Sequence, residues 1–325
     1  MPRILHVAGY GVKLGVENGS LTITSNGKKR VIPISDVDIV VIASSGISIT
    51  SKALRVMIRS GIEMVIADHR GDPLGIMYSS HYTRTPETRR MQYLAYNNGL
   101  AVEIAAEIAI SKIHSQACHL RKHHYKSKRM IKDAVTHIEE IAHRLEKDTA
   151  NTSLDEARRL ILKYEAEAAR TYWSTLARLL PGGLGFEGRS WDSGDPVNSA
   201  LNYGYGILYS LAWRALILAG LDPYAGFLHV DRSGKPVLTF DYVEMFRVKT
   251  VDSPLVELLM KGWKPRVKDG RLDYGSRERI LKAVKASLER KAEADMNLEE
   301  AIRRYAWRLA KALRGNTRFK GFRGC

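Results

Sequence analysis

The sequence predicts an α+β protein of two domains: a β-rich N-terminal domain over 1–85 and a larger all-α domain over 86–325. Its 325 residues exceed the usual size of one domain, so two separate cores are expected. Most strand patterns lie in about the first eighty residues. After the polar, proline-containing stretch HYTRTPETRR at 81–90, almost every apolar pattern has a helical period, which puts the boundary between 82 and 90.

The N-terminal domain carries clear strand and turn signals. Residues 12–34 alternate apolar with polar residues and are punctuated by Asn18-Gly19 and Asn26-Gly27, the preferred pair for a tight hairpin turn. The apolar runs at 38–44 and 63–68 predict buried strands. Between them, residues 51–61 predict a helix with Leu54, Met57 and Ile58 on one face.

The C-terminal domain is predicted to consist of long helices. Asn297 followed by Glu300 resembles a capping box that divides the last of these helices in two. An apolar stripe follows that cap, made of Leu298, Ile302, Tyr305, Leu309 and Leu313. The predicted helices span 91–148, 154–179, 196–219 and 276–314.

The composition favours a polyanionic partner. Lys and Arg number 51 against 35 Asp and Glu, a formal charge of +16, so nucleic acid is the first candidate. A membrane partner is not expected, because the longest apolar stretch, 211–221, is short and is interrupted by Arg214. The N-terminus lacks the pattern of a secretion signal, and Cys118 and Cys325 are too few for a disulfide framework. We therefore expect a cytoplasmic protein with reduced cysteines.

A glycine-rich stretch at 183–188 fits two nucleotide-binding patterns only superficially. GLGFEG matches G-x-G-x-x-G, and with Arg189 and Ser190 the stretch approaches a P-loop that lacks its lysine. Both motifs require a preceding strand and a helix directly after, whereas a helical pattern precedes this one. The glycines therefore predict a helix stop and a loop.

A histidine-rich stretch follows at 118–124. His119 and His123 have the i, i+4 spacing that can place two metal ligands on one helix face, and Cys118 and His124 lie beside them. The surrounding sequence HLRKHHYKSKR is strongly basic and would repel a cation. A solvated or DNA-facing helix surface is the favoured interpretation.

Glu165 interrupts an apolar pattern. Leu162, Glu165, Ala169, Tyr172 and Leu176 follow helical spacing, which puts a carboxylate on an otherwise apolar stripe. A buried carboxylate is costly unless it is paired. Glu165 is therefore either a functional ligand or the partner of a cation such as Arg170, which lies five residues on and off the ideal i, i+4 position.

His229, Asp241 and Glu244 are locally ambiguous. Residues 226–244 predict a hairpin that leads into a helix, in which a lone histidine is more often structural. Asp241 and Glu244 have the spacing of a capping box, and in a helix the same spacing puts both carboxylates on one face.

Four blocks together resemble the CRISPR-associated integrases, the Cas-one proteins of CRISPR adaptation, in the same order and over essentially the whole chain. These blocks are ILKYEAEAARTYW at 161–173, RSWDSGDPVNSALNYGYGILY at 189–209, GLDPYAGFLHVDRSGKP at 220–236 and LTFDYVEMFRVKTVD at 238–252.

The resemblance implies a site for Mg²⁺ or Mn²⁺ held by Glu165, His229 and Glu244, with Asp241 assisting. It implies a metal-dependent DNA endonuclease and integrase that inserts short DNA spacers into a CRISPR repeat array. In that reaction a DNA 3′-hydroxyl attacks a phosphodiester, so no nucleoside triphosphate is consumed. The implied partners are double-stranded and branched DNA, a second copy of the chain joined through the N-terminal domains, and the small Cas-two protein.

Candidate DNA contacts flank these blocks. The cationic candidates are Arg170, Arg189, Arg232, Lys235 and Arg247, and the aromatic candidates are Tyr172 and Tyr205. Each has a plain alternative, because most arginines of so basic a chain are solvated and tyrosines at helical spacing are usually core. The basic tail RGNTRFKGFRGC, with Phe319 and Phe322, is expected to be a disordered arm that orders on DNA or a partner.

Two other functions remain open from the sequence. A stand-alone nuclease or mobile-element integrase acting on branched DNA would use the same site without a CRISPR array. A non-catalytic nucleic-acid scaffold would explain the charge, but it gives no reason for Glu165, His229 and Glu244 to occur together in their motifs.

Overall fold

A computed structural model describes residues 4–67, 73–77, 86–123, 125–190, 192–293 and 295–324. The chain divides into two compact units, Met1–Thr83 and Arg84–Cys325. The first is rich in strands and the second is mainly helical, so the predicted fold class is confirmed.

The described part of the N-terminal unit contains eight strands in two four-stranded sheets. These strands are β1 (Ile4–Val7), β2 (Val12–Glu17), β3 (Ser20–Ser25), β4 (Lys28–Ile32), β5 (Ile39–Ile42), β6 (Ile47–Ile49), β7 (Glu63–Ala67) and β8 (Pro73–Met77). One sheet has the order β1-β5-β7-β8, with the first three strands parallel and β8 antiparallel to β7. The other has the order β4-β3-β2-β6, in which β2, β3 and β4 form an antiparallel meander and β6 is parallel to β2.

The predicted Asn-Gly turns connect the strands of that meander. Asn18 and Gly19 have φ of 45° and 74°, and Asn26 and Gly27 have φ of 49° and 73°. Positive φ at both central residues is the geometry whose twist matches the flanking strands, and Asn and Gly adopt it at low cost. The two hairpins are confirmed.

Helix α1 (Ser51–Arg59) covers the core of this unit. Its first turn is capped by Thr50, whose hydroxyl accepts a hydrogen bond of 3.2 Å from the Ala53 N–H. Met57 is fully buried, and Leu54 is partly buried against the same core. The predicted apolar face is confirmed.

The C-terminal unit consists of helices joined by loops and two short antiparallel ribbons. Its helices are α2 (Pro86–Leu94), α3 (Leu100–Arg121), α4 (Lys128–Thr149), α5 (Leu154–Leu179), α6 (Pro196–Leu218), α7 (Val237–Glu244), α8 (Ser253–Met260), α9 (Tyr274–Glu289) and α10 (Leu298–Leu313). The ribbons are β9 (Val267–Lys268) with β10 (Arg271–Leu272), and β11 (Lys291–Glu293) with β12 (Met296–Asn297). Within the described ranges, no helix is both long enough and apolar enough to cross a bilayer.

The long helix predicted over 91–148 is interrupted. A 3₁₀ turn at Ala95–Asn97 and Gly99, with φ of 79°, separate α2 from α3, and residues 122–127 separate α3 from α4. Because α4 packs back against α3, and α5 packs against both, nearly all faces of α3 are buried. A single continuous helix would leave these apolar faces in water, so tertiary packing overrides the local pattern.

The apolar stripe predicted on α5 is confirmed at Glu165, Tyr172 and Leu176, whereas Ile161 and Ala168 are buried in place of Leu162 and Ala169. Leu162 is 69% exposed, and the buried positions are Ile161, Glu165, Ala168, Tyr172 and Leu176. These still follow helical spacing, so Glu165 lies on the buried face as predicted.

The last helix begins as predicted. The Asn297 side chain accepts a hydrogen bond of 2.9 Å from the Glu300 N–H, and α9 and α10 are separate helices. The apolar stripe of α10 is buried at all five predicted positions, namely Leu298, Ile302, Tyr305, Leu309 and Leu313.

The C-terminal tail is packed, so the expected disordered arm is wrong over the described residues. Phe319 and Phe322 are buried, and the Phe322 ring stacks on Phe246 with 5.0 Å between centroids. The Gly321 N–H donates to the Glu107 carboxylate at 3.0 Å, which ties the tail to α3. Burying two phenylalanines stabilises the tail by about 2 kcal/mol each, enough to offset the solvation of its basic residues.

Candidate active site

Glu165 and Glu244 come together at one ammonium group. Glu165 lies in the middle of α5, and Glu244 is the last residue of α7. Lys112 Nζ, from α3, lies 3.2 Å from Glu165 Oε1 and 2.8 Å from Glu244 Oε2. The expected pairing of Glu165 with Arg170 is therefore not the one found, because the cation comes from another helix.

Glu244 is deeply buried and surrounded by positive charge. Arg247 Nη1 lies 2.8 Å from Glu244 Oε1. Burial alone would raise the pKa of Glu244, but Arg247 and Lys112 hold it below its ordinary value, so the carboxylate is ionised. Its Oε2 atom is ion-paired with Lys112 but makes no hydrogen bond of acceptable geometry with any described residue.

His229 is held from behind by Asp241. His229 Nδ1 lies 2.6 Å from Asp241 Oδ1, and its side chain is about half-exposed. Because a carboxylate only accepts, Nδ1 carries the proton and Nε2 keeps a lone pair for another partner. Partial burial lowers the pKa of His229, but Asp241 first, and then Glu244 and Glu165, raise it above its ordinary value. His229 therefore lies within electrostatic range of both glutamates.

The Asp241 carboxylate is saturated by protein donors. Besides His229 Nδ1, it accepts backbone hydrogen bonds of 2.6 Å from Phe227, 2.9 Å from Leu228 and 3.0 Å from His229. Asp241 is fully buried in the interior of α7, which begins at Val237 after Pro236. The capping-box interpretation is therefore wrong, since Asp241 holds a loop and not the start of its own helix.

The loop that carries His229 has no hairpin, so that prediction is wrong as well. Residues 226–236 form no strand, and the second apolar run of the predicted hairpin is the first turn of α7. The Arg158 guanidinium on α5 donates to the Phe227 carbonyl at 2.9 Å, and Asp241 binds the adjacent N–H groups. A Cβ on Gly226 would come 2.7 Å from Asp241 Oδ2, so only glycine allows the loop to approach the carboxylate this closely.

These residues fit a hard divalent cation. They offer one imidazole ring whose second nitrogen is not engaged by Asp241, and two carboxylates, of which Glu244 Oε2 is buried and contacted by Lys112 without hydrogen-bond geometry. Among the described residues, no three His, Cys, Asp or Glu side chains already form a group able to hold a metal ion. In this arrangement the Lys112 ammonium lies between oxygens of Glu165 and Glu244.

A basic cleft opens beside this cluster. Its volume is about 670 Å³, and four of its lining side chains are cationic, namely Lys112, Arg170, Arg189 and Arg247. Two of these, Lys112 and Arg247, are the ion-pair partners of Glu244. The cleft and the cluster are therefore continuous, and the excess of positive charge suits a phosphodiester chain.

The predicted cationic contacts fall into two groups. Arg170, Arg189 and Arg247 line the cleft, whereas Arg232 and Lys235 are exposed on the loop between His229 and α7. Arg189 is fixed by hydrogen bonds of 2.9 Å to Asn198 and 2.6 Å to Asn202 on α6. The preceding glycine-rich stretch is a loop with no strand before it and no helix directly after it, as predicted.

The two predicted tyrosines are buried. Tyr172 has no exposed surface with which to contact DNA, and Tyr205 shows only 2% of its surface, at the cleft wall. Tyr205 donates a hydrogen bond of 2.6 Å to Asp252, and Tyr172 approaches the same carboxylate at 3.3 Å. Burial raises the pKa of Asp252, and the two hydroxyls and Arg247 oppose that rise.

His119 and His123 are interior residues, so the predicted solvated or DNA-facing surface is wrong. They are 2% and 6% exposed. His119 Nδ1 hydrogen bonds with the Tyr172 hydroxyl at 2.7 Å, and the His119 and His123 rings meet edge to face. His124 lies outside the described residues. Cys325 lies outside the described residues, so the expectation of reduced cysteines stays a prediction.

Sequence reasoning missed Lys112 and Asp252. Lys112 is the only lysine of α3, a helix that is otherwise largely apolar. The same argument that singled out Glu165, a charge on a buried stripe, would have found it. Asp252 ends the block at 238–252 and is the last residue of a π-helical turn at Val248–Asp252, a local feature that the sequence pattern does not reveal.

Comparison with solved structures identifies the fold. The chain shares it with a casposase solved as "Casposase bound to integration product", at a TM-score of 0.83, 23% identity and coverage of 99% of this chain and 93% of that one. It also shares it with a chain of a Cas6-RT-Cas1–Cas2 complex, at a TM-score of 0.80 and 23% identity, over 99% of this chain and 36% of that one.

Sequence comparison gives the family. The model of the CRISPR associated protein Cas1 matches residues 5–286. A relative from Saccharolobus solfataricus, named CRISPR-associated endonuclease Cas1 2, is 34% identical over 99% of this chain and 98% of its own length. The chain belongs to the Cas1 family.

Proposed function

We propose that this protein is a divalent-metal-dependent DNA integrase and endonuclease of CRISPR adaptation. It inserts short DNA spacers into a CRISPR array by attack of a DNA 3′-hydroxyl on a phosphodiester, and it cleaves DNA when water takes the place of that hydroxyl. Family membership supports the reaction class, since relatives of this chain are named as CRISPR-associated endonucleases.

One observation carries the proposal. Glu165 and Glu244, 79 positions apart in the sequence, share the Lys112 ammonium, and the charges of both glutamates act on His229, whose Nδ1 is bound by Asp241. A purely structural protein gains little from two buried carboxylates and a half-exposed imidazole at the edge of a basic cleft. A scaffold that only binds nucleic acid would need the cleft but not the acidic cluster.

We assign Glu165, His229 and Glu244 as the ligands of Mg²⁺ or Mn²⁺. Such an ion would polarise the phosphodiester and offset the charge that develops in the transition state. Asp241 keeps the His229 tautomer that leaves Nε2 unprotonated, and it fixes the ring direction through four hydrogen bonds to the loop. Arg247 keeps Glu244 ionised, and Arg170 and Arg189 offer positive charge along the cleft.

The remaining partners follow from the resemblance. We propose that the N-terminal unit joins two copies of the chain, and that a Cas-two protein bridges two such dimers so that separated sites engage both ends of the incoming DNA. The shared fold with a chain of a complex that contains Cas1 and Cas2 supports this assembly.

Strand transfer tests the proposal. A labelled short duplex with free 3′-hydroxyls is incubated with a supercoiled plasmid carrying a CRISPR leader and repeat, with and without the Cas-two protein. Metal-dependent joining that is abolished by chelator and by His229→Ala is the expected result. Metal-dependent nicking without joining would support a nuclease that works without an array, and DNA binding with neither product would support a scaffold.

A further inference from the structure

The cation position of the proposed metal site already holds a positive charge of the protein itself. Lys112 Nζ lies within 3.2 Å of Glu165 Oε1 and 2.8 Å of Glu244 Oε2, and the lysine side chain is only 17% exposed. A lysine side chain that lies within ion-pair distance of two carboxylates carries its ammonium charge. The oxygens assigned to the metal are therefore neutralised by a side chain from α3.

An ammonium and a divalent ion cannot both use these oxygens. Two cations at one pair of carboxylates would repel each other strongly in a buried setting, and Arg247 already supplies a further charge at Glu244 Oε1. Arg247 is hydrogen-bonded to the Tyr209 hydroxyl at 2.7 Å and lies over the Tyr205 ring at 4.8 Å, so it is fixed in place. Lys112 has a flexible four-carbon stem, and among the described residues its ion pairs are with Glu165 and Glu244.

The cleft gives the displaced ammonium a destination. Lys112 is itself one of the lining residues, beside Arg247 and opposite the α5 residues Ala166 and Arg170. An ammonium that turns into the cleft meets whatever polyanion occupies it, and it replaces the carboxylates with phosphate oxygens as partners.

We propose that Lys112 is an internal counter-cation that exchanges with the metal: it neutralises Glu165 and Glu244 in the metal-free protein and contacts a DNA phosphate when the metal is bound. This inference rests on the proposed function. Lys112 then has a different partner in each state of the site. Without metal it pairs with Glu165 and Glu244, so that no buried carboxylate is left unpaired, and with metal bound it contacts a DNA phosphate.

Metal affinity tests the first half. Mn²⁺ is titrated calorimetrically into the wild type, Lys112→Met and the control Lys163→Met, whose lysine is exposed on α5, the helix of Glu165. Removal of the competitor should tighten Mn²⁺ binding by about tenfold or more in Lys112→Met and leave the control unchanged. The metal-free Lys112→Met protein should also melt earlier than the wild type, and Mn²⁺ should raise its melting temperature by more.

An unchanged or weaker Mn²⁺ affinity in Lys112→Met would overturn the exchange. If the methionine variant does not fold, Lys112→Gln, which retains a donor for one carboxylate, replaces it with the same expectation. Failure of the site assignment looks different: Mn²⁺ would then bind His229→Ala as tightly as it binds the wild type.

The salt dependence of DNA binding tests the second half. The probe is a single strand with a 3′-dideoxy end, which cannot be joined, and its affinity is measured over a range of salt concentrations with chelator and with Mn²⁺. The slope of log K against log salt should differ by about 0.7 between the wild type and Lys112→Met in Mn²⁺, and by about zero in chelator. If the slopes of the wild type and Lys112→Met differ by the same amount in Mn²⁺ and in chelator, then Lys112 does not change partners.

Discussion

Two histidine centres of the helical unit show how the surroundings of a residue decide its role. His229 is half-exposed at the edge of a cleft, with a buried carboxylate behind it and a pKa raised above its ordinary value, chiefly by Asp241 against the opposing effect of burial. His119 is 2% exposed, pairs with a tyrosine hydroxyl, and burial lowers its pKa to about 3. The first is oriented to bind something, and the second is a neutral part of the core.

The local sequence points the wrong way for both. His119 and His123 have a ligand spacing and lie beside a cysteine, whereas His229 is a lone histidine in a loop. Residues that are distant in sequence decide the role of each histidine. His229 is influenced by Asp241 and both glutamates, whereas His119 hydrogen bonds with Tyr172. Substitutions at the two centres should therefore give opposite phenotypes.

The largest effect is expected at His229. Its replacement by alanine should lower metal-dependent strand transfer or nicking by about 10³-fold or more, because a ligand of the ion that stabilises transition-state charge is lost. Stability should change by only about 0.5 kcal/mol, since the side chain is half-exposed.

His137→Ala is the matched control for that variant. His137 is also about half-exposed and lies 3.4 Å from a carboxylate, that of Glu167, but on α4 and outside the basic cleft. It should retain full activity in the same assay. Activity of His229→Ala within tenfold of the control would contradict the ligand assignment.

Asp241→Asn should weaken the site without removing a ligand. The amide offers one accepting oxygen where four donors now bind, so the His229 ring loses its fixed tautomer and direction. Mn²⁺ affinity should fall by about 10- to 100-fold, as for other groups that orient a ligand. Calorimetric titration measures this, and an affinity equal to the wild type would show that Asp241 serves only the loop.

His119→Leu should lower stability and leave activity nearly unchanged, the opposite of what is expected for His229→Ala. The Tyr172 hydroxyl keeps its approach to Asp252 but loses its histidine partner, so unfolding free energy should fall by about 1–2 kcal/mol. Chemical denaturation measures that loss. Strand transfer well below the melting temperature should stay within about threefold of the wild type, and a loss comparable to that of His229→Ala would make His119 part of the site.

The last difference between the two centres is a pH dependence of stability. Below pH 6.5 the unfolded chain protonates His119, whereas the folded chain does so only near pH 3. As pH falls through that window, the free energy of unfolding therefore decreases by up to about 1.4 kcal/mol per pH unit. Comparing the stability of the wild type and His119→Leu between pH 7 and pH 4 isolates this contribution, because the variant lacks it. If the stability of the two proteins falls in parallel between pH 7 and pH 4, groups other than His119 cause the loss.

Much of the fold was readable from the sequence, and for a physical reason. The Asn-Gly turns, the Asn297 cap and the apolar stripe of α10 depend on residues within a few positions of each other. The break of the predicted helix at 122–127 depends instead on α3, α4 and α5 packing together. The tail was misjudged because its two phenylalanines outweigh its charges only once Phe246 and α3 provide a surface for them.

The site was readable in part. Glu165 stood out because it lies on a buried stripe, but His229, Asp241 and Glu244 gained meaning only from the resemblance to a family. Lys112 went unnoticed because its pairing with Glu165 and Glu244 spans more than 50 residues in each case, a distance over which no local pattern operates.

Pulsed electron paramagnetic resonance of bound Mn²⁺ tests the central assignment most directly, because it detects nitrogen atoms coordinated to the ion. The wild type should show the coupling of one histidine nitrogen, which should disappear in His229→Gln and persist unchanged in His119→Leu. Nitrogen coupling that survives in His229→Gln, or that vanishes in His119→Leu, would contradict the assignment of His229 as the ligand.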